Sequence, residues 1–246
     1  MKKMIELSNV SKSFHSLKVI KKLNINVKEG EVVSLVGPSG CGKTTTLRMI
    51  AGLERSEGQI KRDFNHPAFI FQEPRLLPWK TVLDNILFVL FDRISSQDKM
   101  VKIATYYLKL MAIDQFGGYY PAQLSGGMRK RVAIARALAI EPDLILMDEP
   151  FSDIDFPLRL LIIDHLDEIL KKEGKTVLYV THDIREALLV SHRLYILTNK
   201  PMQVKEELFI QRNLRKRGIE NSDFHELEKH VIEILKEESL KEFFKE

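Results

Sequence analysis

The sequence predicts an α/β fold in which a mostly parallel sheet is accompanied by an antiparallel β subdomain and an inserted helical subdomain. Short apolar runs, each bounded by turn or charged residues, alternate along the chain with longer helical patterns. Such runs are typical of strands that are buried on both faces of a parallel sheet. The predicted strands of this sheet are residues 32–36, 68–71, 144–148, 176–180 and 194–197. Residues 4–10 and 19–27 alternate more regularly and predict an antiparallel strand pair.

The middle of the chain has a helical pattern. Thr81, with Asp84 three residues later, predicts a capping box at the start of a helix over residues 82–91. A second helix is expected over residues 95–112. We therefore expect a helical subdomain at about residues 78–140, inserted into the α/β core.

The composition changes after Lys200. Of the last 46 residues 20 are charged, and no further strand is predicted. Apolar residues at helical spacing predict an amphipathic helix over residues 223–244 that packs on its own domain. These residues are Leu227, Val231, Ile234 and Leu235. A basic cluster, expected to be a solvated loop, consists of Arg212, Arg215, Lys216 and Arg217. We therefore divide the chain into a domain of residues 1–200 and a charged helical extension of residues 201–246.

Composition excludes several classes of protein. The chain has 246 residues, of which 44% are hydrophobic, and a net charge of +4. Its longest apolar run, residues 86–91, is far shorter than the roughly 20 residues that a membrane-spanning helix needs. The N-terminal segment carries no apolar stretch typical of a secretory signal. A single cysteine, Cys41, excludes a disulfide framework and suits a reducing compartment. We expect a globular, intracellular protein.

Residues 37–44 match the phosphate-binding motif G-x-x-x-x-G-K-S/T in full. They lie between the strand predicted over residues 32–36 and a helix predicted over residues 45–51, which is the context that the motif requires. Its glycines allow backbone N–H groups to surround an anion, Lys43 can reach the β- and γ-phosphates, and Thr44 can bind Mg²⁺. The predicted nucleotide-binding residues here are Gly37, Pro38, Ser39, Gly40, Cys41, Gly42, Lys43, Thr44 and Thr45. The motif predicts a P-loop NTPase core, but it does not separate kinases, GTPases, helicases and transport ATPases.

Two carboxylates follow one another at the end of the strand predicted over residues 144–148. Asp148 is placed to bind Mg²⁺ through water, together with Thr44. Glu149 is placed to orient and deprotonate an attacking water. A base for water indicates hydrolysis rather than transfer of phosphate to a substrate hydroxyl.

A third motif, Leu-Ser-Gly-Gly-Met at residues 124–128, precedes a helix predicted over residues 129–140. It resembles the signature loop of ATP-binding cassette (ABC) proteins. Gln72 follows one predicted strand and His182 follows another, in the order that this family shows. With the phosphate loop and the Asp-Glu strand end, the chain resembles an ABC transporter ATPase subunit over about residues 4–200.

The resemblance implies a head-to-tail homodimer, in which each signature loop closes on the ATP held by the other copy. It implies that Ser125, Gly126 and Gly127 bind the γ-phosphate of that ATP. Asp155 keeps the position of the family's aspartate after the acidic strand end and is carried over as a nucleotide-binding residue. Asp153 departs from the family's usual alanine, and we expect its extra carboxylate either to weaken closure of the dimer or to change the salt dependence of closure.

Three further roles are implied by the resemblance. Gln72 is expected to sense Mg²⁺ and the attacking water, His182 to contact the γ-phosphate, and Phe14 to stack on adenine. The implied catalytic residues are Glu149, His182 and Gln72, and the implied magnesium site consists of Thr44, Gln72 and Asp148. Taken alone, such residues are more often a surface glutamine, a structural histidine and a core phenylalanine. ATP and Mg²⁺ are the expected cofactors.

Residues 76–85 and the charged tail resemble the importer subgroup that handles nitrate, sulfonates, taurine and related small molecules. Trp79 lies in a Pro-bounded turn and is a candidate docking edge for a partner helix. The resemblance implies two transmembrane permease subunits, a substrate-binding protein that acts indirectly, and a peripheral location at the cytoplasmic face of the membrane. It does not identify the transported molecule.

Two other functions stay open. One is a non-transport ABC ATPase that acts as an ATP-gated clamp on nucleic acid or a ribosome. Such relatives usually have a long coiled-coil insertion or two cassettes, and this sequence shows neither feature. Its basic residues also form no long stripe, so no nucleic-acid partner is expected. The other is a phosphotransferase, which Glu149 and the signature loop disfavour.

Overall fold

The computed structural model describes residues 2–210 and 222–244. In chain order its elements are β1 (Lys3–Phe14), β2 (Leu17–Lys28), β3 (Val32–Val36), α1 (Lys43–Ile50), β4 (Glu57–Arg62), β5 (Pro67–Ile70), α2 (Val82–Leu90), α3 (Gln97–Leu110), α4 (Gly126–Ala139), β6 (Leu144–Asp148), α5 (Phe156–Glu173), β7 (Thr176–Val180), α6 (Ile184–Val190), β8 (Arg193–Leu197), β9 (Val204–Phe209) and α7 (Ser222–Phe243). The chain forms two units, Met1–Asn65 with Gly174–Glu246, and His66–Glu173. None of the described helices is both long and apolar enough to cross a membrane.

The first unit contains an antiparallel sheet with the strand order β2-β1-β4. Leu7 of β1 lies opposite Ile25 of β2 on one side and opposite Ile60 of β4 on the other. Along β2, the buried Leu23, Ile25 and Val27 alternate with more exposed polar residues. One face of the sheet is therefore apolar, and the predicted antiparallel pair is confirmed.

Strand β4 is not among the predicted strands. Only Ile60 in it is partly buried, so its sequence lacks an alternating apolar pattern. The strand forms because the edge of β1 offers backbone partners to it. At its end, the Arg62 guanidinium donates to the carbonyl oxygens of Met49 at 2.7 Å and Ile50 at 2.8 Å, which are among the last carbonyls of α1. Arg62 thus satisfies the C-terminal end of that helix.

The parallel strands of the first unit have the order β7-β3-β8, and β9 pairs antiparallel with β8 at the edge. Val33 of β3 lies opposite Leu178 of β7 and Arg193 of β8. Every residue of β3, β7 and β8 is buried. The prediction of strands buried on both faces is therefore confirmed for these three strands.

Strand β9 shows that the expectation of no strand after Lys200 is wrong. Its residues alternate between partly buried and exposed, and three of them are charged, as is typical of an edge strand. The sequence has no apolar run there, so periodicity could not find it. The strand is joined to the sheet by the buried Arg193, whose guanidinium lies 2.7 Å from Glu207 of β9 and 2.6 Å from Glu31.

Helix α7 packs against α6 and β8 of the first unit. Phe224, Val231 and Ile234 of α7 are buried in one apolar cluster with Leu188 of α6 and Ile196 of β8. The other two residues of the predicted stripe, Leu227 and Leu235, are partly buried against the same cluster. The predicted packing of this helix on its own unit is confirmed, whereas the basic cluster of residues 212–217 lies outside the described residues.

In the second unit, β5 and β6 pair in parallel, with Ala68 opposite Ile145. Helices α2, α3 and α4 pack on one another, and α4 also packs on β5. The predicted cap of α2 is confirmed, because the Thr81 hydroxyl accepts a hydrogen bond from the Asp84 N–H at 3.1 Å. This unit includes residues 78–140, the predicted helical subdomain, and the division of the chain at residue 200 stays a prediction.

Candidate functional site

The phosphate loop lies in the first unit, between β3 and α1. Helix α1 begins at Lys43, two residues earlier than predicted, and Gly42 precedes it with φ of +129°. L side chains rarely adopt this conformation. A Cβ on Gly42 would also lie 3.1 Å from Val19 and 3.2 Å from Ile20 of β2. The glycine therefore lets the loop lie directly against the strand beneath it.

Lys43 is buried within this loop. Its ammonium donates to the carbonyl oxygens of Gly37 at 2.7 Å and Pro38 at 2.8 Å. The positive charge is thus held inside the loop, at the positive N-terminal end of α1. A cradle that excludes a Cβ, with a cation and a helix N-terminus inside it, fits the phosphates of a nucleotide.

The other predicted residues of the loop fall into three groups. Ser39 and Gly40 are exposed at its tip, whereas Pro38, Thr44 and Thr45 are partly exposed. Cys41 is buried with its Sγ 3.6 Å from the Sδ of Met202. Burial raises the pKa of the Cys41 thiol, which keeps it protonated. Cys41 therefore fills space under the loop.

Phe14 and His182 also belong to the first unit. Phe14 ends β1 and is 39% exposed, so the alternative of a core residue is excluded. The Lys12 ammonium lies 4.7 Å from the centre of its ring. His182 follows β7 and is exposed, immediately before Asp183, which caps α6 by accepting from the Glu186 N–H. Both positions leave an aromatic side chain open to solvent, and the roles expected of them stay predictions.

The second unit brings Gln72 and Glu149 together. Strands β5 and β6 are parallel, so their carboxyl ends lie at the same edge of the sheet. Gln72 comes shortly after β5, Asp148 is the last residue of β6, and Glu149 comes next. The Gln72 amide donates to the Glu149 carboxylate at 3.4 Å, while Asp148 is buried at the end of β6. Glu149 has φ of +46°, a left-handed conformation that is uncommon for this residue. Strained backbone of this kind clusters at active sites.

The signature residues form the start of α4, which begins at Gly126 and not at the predicted residue 129. Ser125 is the N-cap residue, and its hydroxyl accepts from the Met128 N–H at 3.2 Å. A Cβ on Gly127 would lie only 2.4 Å from the carbonyl oxygen of Asp153. Gly127 therefore permits close packing of the helix start against the Asp153 backbone. The Ser125 cap offsets the poor helix propensity of the two glycines.

The residues after Glu149 include a partner that the sequence did not reveal. The buried Lys130 ammonium of α4 lies 3.2 Å from the Asp153 carboxylate, donates to the Ser152 hydroxyl and lies 3.5 Å from the Glu149 carbonyl oxygen. The extra carboxylate of Asp153 is therefore balanced within the unit, although its effect on dimer closure stays a prediction. The spacing of residues in the sequence does not indicate that Lys130 of α4 contacts the turn after Glu149.

Asp155 has a structural role beside the one predicted for it. Its carboxylate accepts from the Leu158 N–H at 3.4 Å, in the first turn of α5, and its carbonyl oxygen accepts from the Arg159 N–H at 2.9 Å. It therefore caps that helix. Its binding to nucleotide stays a prediction. Among the residues that the structure describes, no group of His, Cys, Asp or Glu side chains forms a metal cluster by itself.

The contacts of Lys130 predict unequal effects of two substitutions. Lys130→Met removes the hydrogen bond and the ion pair that the buried ammonium makes with Ser152 and Asp153, and it should lower the free energy of unfolding by about 1–3 kcal/mol. Asp153→Asn removes the charge of a 67% exposed carboxylate while tolerating the φ of +68° at this position, and it should cost about 0–1 kcal/mol. Urea unfolding of the two variants measures the difference. Equal losses would show that the ion pair, and not the buried lysine, holds this turn.

Comparison with known proteins agrees with this geometry. Residues 20–152 match the family model described as ABC transporter. An uncharacterised ABC transporter ATP-binding protein of Methanocaldococcus jannaschii is 39% identical over 253 residues, covering 98% of this chain and 94% of the relative. An aliphatic sulfonates import ATP-binding protein of Pseudomonas syringae pv. tomato is 41% identical over 198 residues, covering 80% and 83% of the two chains.

A solved structure shares the fold. It is the dimeric post-hydrolysis state of an ATP-binding cassette bound to ADP and phosphate, with a TM-score of 0.78 and 33% identity over 85% of this chain and 99% of that one. The predicted α/β P-loop fold is therefore confirmed. The chain belongs to the ABC transporter family, as an ATP-binding domain that hydrolyses ATP.

Proposed function

We propose that this chain is the ATP-hydrolysing subunit of an importer, which dimerises on ATP and drives a small molecule through two permease subunits. The observation that carries the proposal is the Ser125-capped start of α4. A helix N-terminus with small residues suits a phosphate, yet the chain already has a phosphate loop of its own. The second anion-binding helix end is explained if it serves the nucleotide of another copy.

The chemistry of hydrolysis is divided among few residues. Lys43 binds the β- and γ-phosphates, and Glu149 accepts a proton from the attacking water while Gln72 orients it. His182 contacts the γ-phosphate, and Phe14 stacks on the adenine. Thr44, Asp148 and Gln72 would hold Mg²⁺, which supplies positive charge against the phosphate oxygens. The hydrogen bond from Gln72 to Glu149 supports the pairing of these two roles.

The dimer is head to tail in this proposal. Ser125, Gly126 and Gly127 of one copy bind the γ-phosphate of ATP held by the other, and Asp155 lies at the same nucleotide. The dimeric relative bound to ADP and phosphate supports such an assembly. ATP closes the dimer and hydrolysis opens it, and this cycle does work on the permeases.

The second unit offers a docking surface for the permeases. Trp79 is 72% exposed, and Phe88 and Phe91 are also exposed. Asn85, which is fully buried, fixes the turn that contains Trp79. Its side chain accepts from the Leu77 N–H at 2.8 Å and donates to carbonyl oxygens on both sides of Trp79. A rigid turn with an exposed aromatic suits a partner helix. Docking there would hold the chain at the cytoplasmic face of the membrane.

The relatives named as import ATP-binding proteins support an importer of a small molecule over the nucleic-acid clamp. The transported molecule is contacted by the permeases and, before them, by a substrate-binding protein. Residues of this chain therefore need not select it. No nucleic-acid partner is included in the proposal.

The hydrolytic mechanism predicts the behaviour of Glu149→Gln. This variant keeps the phosphate loop and should bind ATP, but it should hydrolyse ATP about 100-fold or more slowly because the base is lost. With Mg·ATP it should elute as a dimer on gel filtration, whereas Lys43→Ala should lose nucleotide affinity. Elution of Glu149→Gln as a monomer with nucleotide bound would contradict the dimer mechanism.

The docking surface predicts the behaviour of Trp79→Ala. The variant should keep the ATPase activity of the isolated chain but recover much less of the permease pair from detergent-solubilised membranes. Tyr106→Ala is a matched control, because Tyr106 is a 55% exposed aromatic of the same unit. Equal recovery of the permease pair by the two variants would place the docking surface elsewhere.

A further inference from the structure

A second lysine lies beside the phosphate loop. Lys200 occupies the turn between β8 and β9, and its ammonium lies 3.9 Å from the position that a Cβ would take on Gly40. Gly40 is exposed at the loop tip, and Lys200 is itself partly exposed. Burial raises the pKa of the Cys41 thiol, and the Lys200 charge acts in the opposite direction. Within residues 2–210 and 222–244, the Lys200 side chain makes no hydrogen bond or ion pair.

The turn that carries Lys200 is fixed to the same strand as the phosphate loop. Met202 is fully buried, its N–H donates to the Val19 carbonyl oxygen at 2.8 Å, and its carbonyl oxygen accepts from the Lys21 N–H at 3.0 Å. Its Sδ contacts the Sγ of Cys41. The turn and the loop therefore share one support, β2, which keeps Lys200 near the loop tip.

Helix α7 fixes the other side of this turn. The Asn199 amide donates to the carbonyl oxygen of Glu238, and the Asn199 N–H donates to its carboxylate at 3.4 Å. The buried Glu238 carboxylate is balanced by Lys241 at 2.6 Å and Lys205 at 3.6 Å. The local negative charge is thus neutralised by other lysines, and the Lys200 charge remains available at the loop.

We propose that Lys200 is a further nucleotide-binding residue, whose ammonium binds phosphate oxygens of the ATP held by the loop, and that Asn199 positions it through α7. The proposal rests on nucleotide binding at the phosphate loop. The Lys43 ammonium donates to two carbonyl oxygens of the loop, so its hydrogen-bonding capacity is shared between the loop and a bound phosphate. A second ammonium beside the loop tip adds charge-assisted hydrogen bonds to phosphate oxygens.

The test is a fluorescence titration of the full chain with a methylanthraniloyl derivative of a non-hydrolysable ATP analogue. Lys200→Met should weaken binding about three- to tenfold, the range of one partly exposed charged hydrogen bond, and the loss should shrink at high salt. Lys200→Arg should restore most of the affinity. Lys229→Met is the matched control, because Lys229 is a 78% exposed lysine of α7 that pairs with Glu233, away from the contacts that hold the turn, and it should bind normally.

The role of Asn199 is tested by a double-mutant cycle. Asn199→Ala should weaken binding in the parent chain but add little in the Lys200→Met background, which a merely structural effect would not show. If Lys200→Met binds the nucleotide normally and Lys43→Ala does not bind it, the role of Lys200 is overturned but the phosphate-loop site stands. If Lys200→Met and Lys43→Ala both bind normally, the assignment of the phosphate loop is overturned as well.

Discussion

The absence of a Cβ at two glycines determines how closely the functional loops lie against the structure beneath them. At Gly42 the phosphate loop rests on β2, with room for no side chain between them. At Gly127 the start of α4 lies so close to the backbone of Asp153 that a Cβ would not fit between them. Each contact is made within one unit, and each presents a helix N-terminus whose N–H groups can bind an anion. The chemistry of the chain depends on these two close approaches.

Buried lysines and arginine accompany these loops, and each is balanced locally. Lys43 donates to the carbonyl oxygens of its own loop, Lys130 to the turn that follows Glu149, and Arg193 to two carboxylates that join β8 to its neighbours. A buried cation without partners would be costly. The partners of Lys43 are backbone oxygens, so its positive charge is held at the phosphate loop. The partners of Arg193 are carboxylates, so its charge is held beside the edge strand β9.

The sequence predicts the parts of the fold that depend on local pattern. Strands β3 and β7, which are buried throughout, have the predicted bounds, and the Thr81 cap forms as expected. Strands β4 and β9 were not predicted, because edge strands are stabilised by pairing with a neighbour's backbone and need no apolar run. The phosphate loop and the acidic strand end are recognised from motifs alone. Lys130 and Lys200 were missed, because their roles arise from segments that meet only in the folded chain.

In the proposed dimer, the signature residues of one copy complete the nucleotide site of another. A mixture of two inactive variants tests this arrangement: Lys43→Ala, which lacks the phosphate-loop lysine, and Ser125→Arg, which blocks the signature. A head-to-tail dimer of one with the other contains one site with both parts intact. Mixing should therefore restore ATPase activity that neither variant has alone. A mixture no more active than the sum of its components would contradict it.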